Sequence, residues 1–431
     1  MRTVLLVAPH FVPSFLPAVH RSRLWSYYLP EFGWKPIILT TRERHYECQI
    51  DPELLDLLPP DLEVIRTGAL PIRPIRIIGD ISIRSFPFYY RAIAKLARER
   101  RIDFIHFTVP AYSAALIGPL IYRRYGVPYG IDYIDPWVHE TSLNEPILSK
   151  AWLAQKWASV AEPWAVRDAR LITGINSAYF ESVLARNPKL RDQAVTAGMP
   201  YGGSEKDFEL VARRPRLTTI FDPHDGNLHF IYAGALLPKA VDVLDRLLAA
   251  LCRVREINPA VAGRLKLHFV GTGLRENDPT SGHVVSPLIR KHNLSDMVDE
   301  HPSRISYPDT LNHLAKSSAI LVIGSTERHY SPSKIYQAVM AQRPVFALLR
   351  KDSTAVEPFQ RSNAGQVFTF MPEHLPDPEQ LARTLIEFCR SITANPPQID
   401  WSAFAGTSAR ESARTLASAL DCALQRSQRA R

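Results

Sequence analysis

The chain is poor in cysteine. Cys48, Cys252, Cys389 and Cys422 are the only four in 431 residues, and they stand far apart with no metal-binding spacing. They build neither a disulfide framework nor a zinc knuckle, and the last three fall in helical patterns as small buried hydrophobes do. That usage suits a reducing compartment, so a cytoplasmic location is expected. Long apolar runs are also missing. The longest, Val109 to Tyr122, falls short of the ~20 residues that a membrane-spanning helix needs, and it contains Pro119. The opening Met1-Arg-Thr-Val-Leu-Leu-Val-Ala-Pro9 has too short an apolar core for a signal peptide and reads as a first strand. The turn after it, His10 to Pro17, holds none of the glycines that a dinucleotide fold would place there, which excludes NAD or FAD. There is no Asp-x-Asp element, Walker lysine or Gly-x-Ser-x-Gly elbow, and the fourteen histidines are scattered. No metal and no cofactor are therefore expected. Helix-turn-helix, zinc-finger and RNA-binding signatures are absent too, so nucleic acid is not expected as a partner.

What is present is size, a well-stocked core and positive charge. The length predicts two domains of roughly 200 residues each. Hydrophobic residues make up 46%, enough for well-formed cores, and the net charge is +9. Between Leu70 and Arg101, the cations Arg73, Arg76, Arg84, Arg91, Lys95, Arg98, Arg100 and Arg101 interleave with Ile75, Ile77, Ile78, Ile81, Ile83, Phe86, Phe88, Tyr89 and Tyr90. Residues 70–101 thus suit an anionic membrane surface, with a solvated helix face as the competing reading.

Strand and helix patterns alternate through the first half. Strands are expected at Thr3–Ala8, Lys35–Thr40, Leu62–Thr67, Phe104–Thr108, Tyr129–Ile134 and Ala169–Ile175, with helices between them such as Arg21–Phe32, Phe88–Arg100 and Ala151–Val166. A Gly-rich linker, Met199 to Phe208, follows. The alternation then restarts with strands Leu228–Ala233 and Leu265–Val270 and helix Ala240–Glu256. The fold class is α/β, with two Rossmann-like doubly wound domains at 1–200 and 201–400 and a terminal helical stretch in 401–431.

The most informative segment is Ala319 to Leu348. Ala319–Gly324 reads as a buried parallel strand and Val345–Leu348 as the next. Ser331 is a good N-cap and Pro332 suits the first helical position. The loop so delivers Ser333 and Lys334 to a helix start at the carboxyl edge of a sheet, where backbone N–H groups, a hydroxyl and an ammonium favour an anion, foremost a phosphate. An ordinary crossover with a solvated lysine is the bland alternative.

Pro332-Ser333-Lys334, Ile335-Tyr336 and Pro344-Val345 resemble the donor-binding segment of GT-B glycosyltransferases of the family-four type, the group-1 polysaccharide transferases. Met199 to Phe208 resembles that family's hinge, Arg21 to Thr40 its opening segment, and Asp132-Tyr-Ile-Asp-Pro-Trp137 its Asp-x-x-Asp-Pro-Trp. The likeness spans nearly the whole chain. It implies two Rossmann-like domains facing a cleft, closure about the linker, and a last helix that crosses back to the first domain. It implies a metal-independent transferase that moves a sugar from a nucleotide sugar to a hydroxyl, with retention, in surface polysaccharide or glycolipid synthesis. The acceptor would be a carbohydrate, a lipid-linked molecule or a small molecule.

Matched position by position, the donor would meet Gly234, Lys239, Arg304, Tyr330, Ser333, Lys334 and Gln337. The catalytic candidates are Asp135, which orients the attacking hydroxyl, and Glu327. Asp135 as a loop cap before Pro136, and Lys239 as a solvated residue at a helix start, are the competing readings. The chain departs from the family pattern at Ile134, Ala235, His329, Gln337 and Gln342. Those departures keep two other readings open, a catalytically impaired GT-B scaffold and a nucleotide-sugar 2-epimerase-like enzyme.

Overall fold

The computed structural model describes residues 1–72, 79–108, 112–138, 146–273, 283–327, 334–394 and 398–429, and of Lys334, Trp401, Phe404 and Ala405 the backbone alone. The chain forms two compact units, Met1–Tyr201 with Ala409–Arg431, and Gly202–Ser408.

Unit 1 holds strands β1 (Arg2–Val7), β2 (Trp34–Thr41), β3 (Glu63–Thr67), β4 (Phe104–Thr108), β5 (Tyr129–Tyr133), β6 (Leu171–Gly174) and β7 (Val195–Gly198). They form one parallel sheet in the order β3-β2-β1-β4-β5-β6-β7. The chain starts at β1, runs outward to β3 and then returns to β4, so the order reverses between β1 and β4. Val4–Val7 and Phe104–Phe107 are wholly buried, as expected of central strands covered by helices on both faces. The last helix, Ala409–Arg429, belongs to this unit. It buries Ala409, Ala413, Leu416, Leu420 and Ala423. The Trp25 indole donates to Ser412 Oγ at 3.0 Å and the Trp34 indole to Asp421 Oδ1 at 3.0 Å.

Unit 2 holds β8 (Leu228–Ala233), β9 (Leu265–Val270), β10 (Val298–His301), β11 (Ala319–Ile323), β12 (Val345–Arg350) and β13 (Gly365–Phe370). Their order is β10-β9-β8-β11-β12-β13, again all parallel, and it reverses between β8 and β11. In open sheets of this kind, ligands bind outside the carboxyl ends of the strands at the reversal. For unit 2, that is the space beyond Ala233 and Ile323.

The sequence pattern does not announce β7 or β10. Both are edge strands with a polar or half-exposed pattern, and so lack the apolar run that betrays a central strand. The helix expected at Phe88–Arg100 runs over Ile81–Arg98. Asp80 caps it, accepting from the Ser82 N–H at 2.7 Å, and Pro87 sits within it. Proline normally argues against such an extension, and strong capping with burial of Ile81 and Tyr89 overrides it. The segment read as a free Gly-rich linker is packed at one end. A Cβ on Gly203 would lie 2.5 Å from the Tyr336 carbonyl oxygen and 2.4 Å from Met340 Cγ, so only glycine lets the backbone approach the helix Lys334–Met340 this closely.

Candidate functional site

The chain turns sharply at the carboxyl ends of β8 and β9. Gly234 and Gly271 both have left-handed backbone, φ +113° and +70°. A Cβ on Gly271 would come within 3.7 Å of the Gly234 Cα and 3.4 Å of Arg304 Cγ. The two turns thus lie close together, with the Arg304 side chain packed against Gly271. Beyond Gly234, the chain enters a short turn, Pro238–Ala240, that leads into helix Val241–Ile257.

The loop after β11 meets this turn. The Thr326 N–H donates to the Lys239 carbonyl at 3.2 Å, and the Thr326 carbonyl accepts from Arg350 Nη1 at 2.7 Å. The two loops at the sheet reversal are therefore joined through their backbones. That joining sets Lys239 Nζ 3.3 Å from Glu327 Oε1, with the lysine side chain 63% exposed and the glutamate 29%. Of the positions assigned from the sequence, Gly234 and Arg304 both lie against Gly271, and Lys239 meets Glu327. Gln337 lies one turn into helix Lys334–Met340. Its Nε2 donates to the Tyr307 hydroxyl at 2.9 Å, which in turn donates to Asp207 Oδ2 at 3.0 Å. One donor of the amide expected to reach a ribose is thus engaged inside the unit. Tyr330 and Ser333 lie outside the described residues, as do His329, Ser331 and Pro332. A cavity of about 850 Å³ in this unit, lined by Phe208, Arg214, Asn312 and Gln342, contains none of the assigned residues.

Sequence inspection misses Glu300, which organises one wall. Its side chain is fully buried at β10. It accepts hydrogen bonds from Thr272 Oγ1 (2.6 Å), the N–H groups of Val284, Val285 and Ser286 (3.0, 3.0 and 2.7 Å) and Ser286 Oγ (2.6 Å). Burial pushes its pKa up, but these donors outweigh burial and hold it below the ordinary value. The turn after β9 is pinned by one carboxylate, which no local motif reveals.

In unit 1, Asp135 is exposed just past β5, and its carbonyl accepts the Tyr112 hydroxyl. The residue that dominates this strand is Asp132, completely buried. Its carboxylate takes a two-point contact from Arg21, Nε–Oδ2 2.8 Å and Nη2–Oδ1 2.9 Å, and a hydrogen bond from Thr173 Oγ1 at 2.7 Å. Arg21 Nη1 also donates to the Met199 and Pro200 carbonyls, at 2.7 and 3.1 Å, and the guanidinium lies over the Trp25 ring. Burial raises the Asp132 pKa, yet the Arg21 charge and hydrogen bonds bring it below the ordinary value. His10, at the carboxyl end of β1, is pushed down to about 4, chiefly by burial, with Asp80 opposing and Arg84 assisting.

The basic segment is only partly a surface. Arg73 and Arg76 lie outside the described residues. Arg84 is 3% exposed and donates to the Leu70 and His45 carbonyls, and Arg101 makes a two-point contact with Glu63. Arg84 therefore structures the loop below it and cannot meet a lipid headgroup. A more exposed apolar face lies on helix Lys150–Val166. Leu153, Trp157, Val160 and Trp164 recur at helical spacing and are 50, 46, 71 and 39% exposed. No helix among the described residues is long and apolar enough to cross a membrane.

No protein-family model matches the chain, and no curated protein matches it in sequence. Solved structures do. A glycosyltransferase from Rickettsia africae superposes with a TM-score of 0.53 at 15% identity, covering 98% of this chain and 93% of that one. A UDP-forming α,α-trehalose-phosphate synthase from Burkholderia xenovorans gives 0.55 at 13%, covering 99% and 98%. A UDP-N-acetylglucosamine 2-epimerase from Listeria monocytogenes gives 0.53 at 11%, covering 97% and 95%. This chain has the GT-B fold. At such identities the likeness concerns the fold, and chemistry has to be argued from the side chains.

Proposed function

We propose that this GT-B chain is a glycosyltransferase that moves a sugar from a nucleotide-sugar donor to an acceptor hydroxyl. The observation that carries this reading is the Lys239–Glu327 pair at the reversal point of the unit 2 sheet, beside the glycine turns that end β8 and β9. The C1–O bond to the diphosphate breaks as the acceptor oxygen bonds to C1, through an oxocarbenium-like state, and the acceptor's proton passes to the departing diphosphate. Negative charge grows on the departing diphosphate, and the Lys239 ammonium, with Lys334 at the next helix start, stabilises it. Arg304, Tyr330, Ser333 and Gln337 contribute to nucleotide binding, and Gly234 admits it. Glu327 holds Lys239 before the donor arrives and flanks the sugar afterwards. Asp135 orients the acceptor hydroxyl. Retention is what the family resemblance implies.

The pair makes two opposite predictions. Lys239→Ala removes a charge-assisted contact worth ~1.5–3 kcal/mol and should weaken nucleoside-diphosphate binding by about 10- to 100-fold. Glu327→Gln frees the same lysine and removes a competing anion, so diphosphate should bind more tightly while transfer falls. Calorimetry with UDP, GDP and ADP measures both, and equal affinities in wild type and both variants would defeat the proposal. Asp135→Asn should leave donor affinity unchanged and lower turnover by ~10²–10⁴-fold. Full activity in the folded variant removes Asp135 from the mechanism.

The superposition on the epimerase favours a second reading, in which the C1–O bond breaks as C2 loses its proton, and both bonds reform with the proton returned to the opposite face of C2, without transfer. A 2-epimer released from a nucleotide sugar without added acceptor would select it. The acceptor surface is proposed to meet anionic lipid. The stripe Leu153, Trp157, Val160 and Trp164 is flanked by cations, with Arg167 4.6 Å from the Trp164 ring and Lys156 5.5 Å from the Trp152 ring. Mixed aromatic and basic side chains of this kind suit the headgroup layer.

A further inference from the structure

Unit 2 contains a second polar constellation, on a face of the sheet that the donor reading does not use. His229 stands on β8, His268 on β9, and Asp299 and His301 on β10, with His268 and Asp299 in direct register. His229 Nδ1 lies 2.9 Å from His268 Nε2. The outer nitrogens of this pair face carboxylates, His229 Nε2 at 2.9 Å from Asp225 Oδ1 and His268 Nδ1 at 2.9 Å from Asp299 Oδ1. The Phe221 ring stacks over both imidazoles at 4.7 and 5.2 Å.

Counting hydrogens makes this chain of contacts informative. A carboxylate only accepts, so each outer contact needs an N–H on the histidine, and the histidine–histidine contact needs one more. That is three hydrogens, whereas two neutral imidazoles carry two. A metal cation in place of the hydrogen between His268 Nδ1 and Asp299 removes the deficit. His268 Nε2–H then donates to His229, and His229 Nε2–H donates to Asp225. The result is the outer-shell arrangement that orients metal-binding histidines.

A third donor stands ready. His301 Nε2 is shielded from solvent and makes no hydrogen bond among the described residues, yet it lies 3.6 Å from Asp299 Oδ1. Ligand atoms of His268, Asp299 and His301 all fall within 4.8 Å of one another. Four-coordinate zinc with bonds of ~2.0–2.1 Å separates its ligand atoms by about 3.4 Å, and the 2.9 and 3.6 Å spacings bracket that value. Asp299 and His301 are 49 and 43% exposed, which leaves an entry path and a place for a water ligand.

We propose that His268, Asp299 and His301 bind one divalent transition-metal ion of the zinc class, which fastens edge strand β10 to β9. Two imidazoles and a carboxylate suit zinc, cobalt or nickel better than calcium or magnesium. The role is structural, on a different set of residues from Lys239 and Glu327, so its failure would leave the transferase reading standing.

The test uses the full chain stripped by chelator, then titrated with Co²⁺ and competed with Zn²⁺. One equivalent of Co²⁺ should give the visible absorption of a four-coordinate site, Zn²⁺ should abolish it, and Zn²⁺ should raise the melting temperature. Asp299→Asn and His301→Ala should each lose the absorption while keeping the native circular dichroism. His229→Phe should weaken Zn²⁺ binding by about 10- to 100-fold, the usual effect of losing an outer-shell partner. His374→Ala, outside the cluster, should bind as wild type. No saturable one-equivalent binding, or binding kept in the Asp299→Asn/His301→Ala double variant, overturns the proposal.

Discussion

Removing either member of the Arg21–Asp132 pair should damage unit 1 far more than removing both. At 2.8 Å and an effective dielectric constant of ~20, the gross attraction is about 6 kcal/mol. Desolvating two fully buried ions costs several kcal/mol each, so the net contribution of the pair is small. Deleting one partner forfeits the attraction and strands the other charge, with an expected cost of ~3–5 kcal/mol for Asp132→Ala or Arg21→Met. Arg21→Met also releases the Met199 and Pro200 carbonyls, so it should be the worse of the two. The pair Arg21→Met/Asp132→Ala should recover at least ~2 kcal/mol relative to the sum of the single changes. Tryptophan emission during urea unfolding is a suitable assay, because every tryptophan except Trp401 lies in unit 1. Additive single costs would refute the reasoning, since they would mean that the two groups do not sense one another. The Asp132 carboxyl has a depressed pKa in the fold, so its stabilisation is present above the ordinary carboxylate pKa and is lost as pH falls through the lower, folded value.

His106 extends the pH dependence upward. Burial pushes its pKa down to about 4, with Asp132 opposing and Arg21 assisting, and its Nε2 lies 3.2 Å from Thr173 Oγ1. The unfolded chain takes up this proton near pH 6.5 and the folded one does not, so unit 1 should lose up to roughly 3 kcal/mol as pH falls from 6.5 to 4. His106→Leu should flatten that slope, and an unchanged slope in denaturation series across this range would contradict the assignment. Liposome co-sedimentation should rise with anionic lipid content and fall with salt, and Trp157→Glu/Val160→Glu should abolish it. Pelleting unaffected by that double change would exclude the helix Lys150–Val166 as the contact.

The sheets were largely legible because a central parallel strand must be apolar on both faces. Leu5, Ile231 and Leu321 sit in runs that few other structures accommodate. Turns at strand ends also carry a local signature. Gly234 shows it through its left-handed backbone, and Gln342 adopts φ +56° where the resembling family has glycine. What stayed hidden was long-range. Arg21 meets Asp132 across more than a hundred residues, Glu300 gathers donors from a neighbouring turn, and His229 meets His268 across two strands. None of these pairings leaves a spacing in the chain, because tertiary packing alone creates it. The family resemblance points to Asp135, which is exposed, while Asp132, earlier in the same six residues, carries the buried interaction.

The edge strand β10 has a further consequence. Its Val298-Asp-Glu-His301 sequence ends the sheet with charged or imidazole side chains on alternate faces. An unpaired strand edge is a template for another chain, and polar groups at such an edge oppose that pairing. The residues proposed to hold a metal would then also keep the molecule from joining copies of itself through this edge. Replacing Asp299 and His301 by valine would leave the backbone ladder with β9 intact but remove this barrier. Such a variant would be expected to form intermolecular sheet on storage, at concentrations where the native chain stays dispersed.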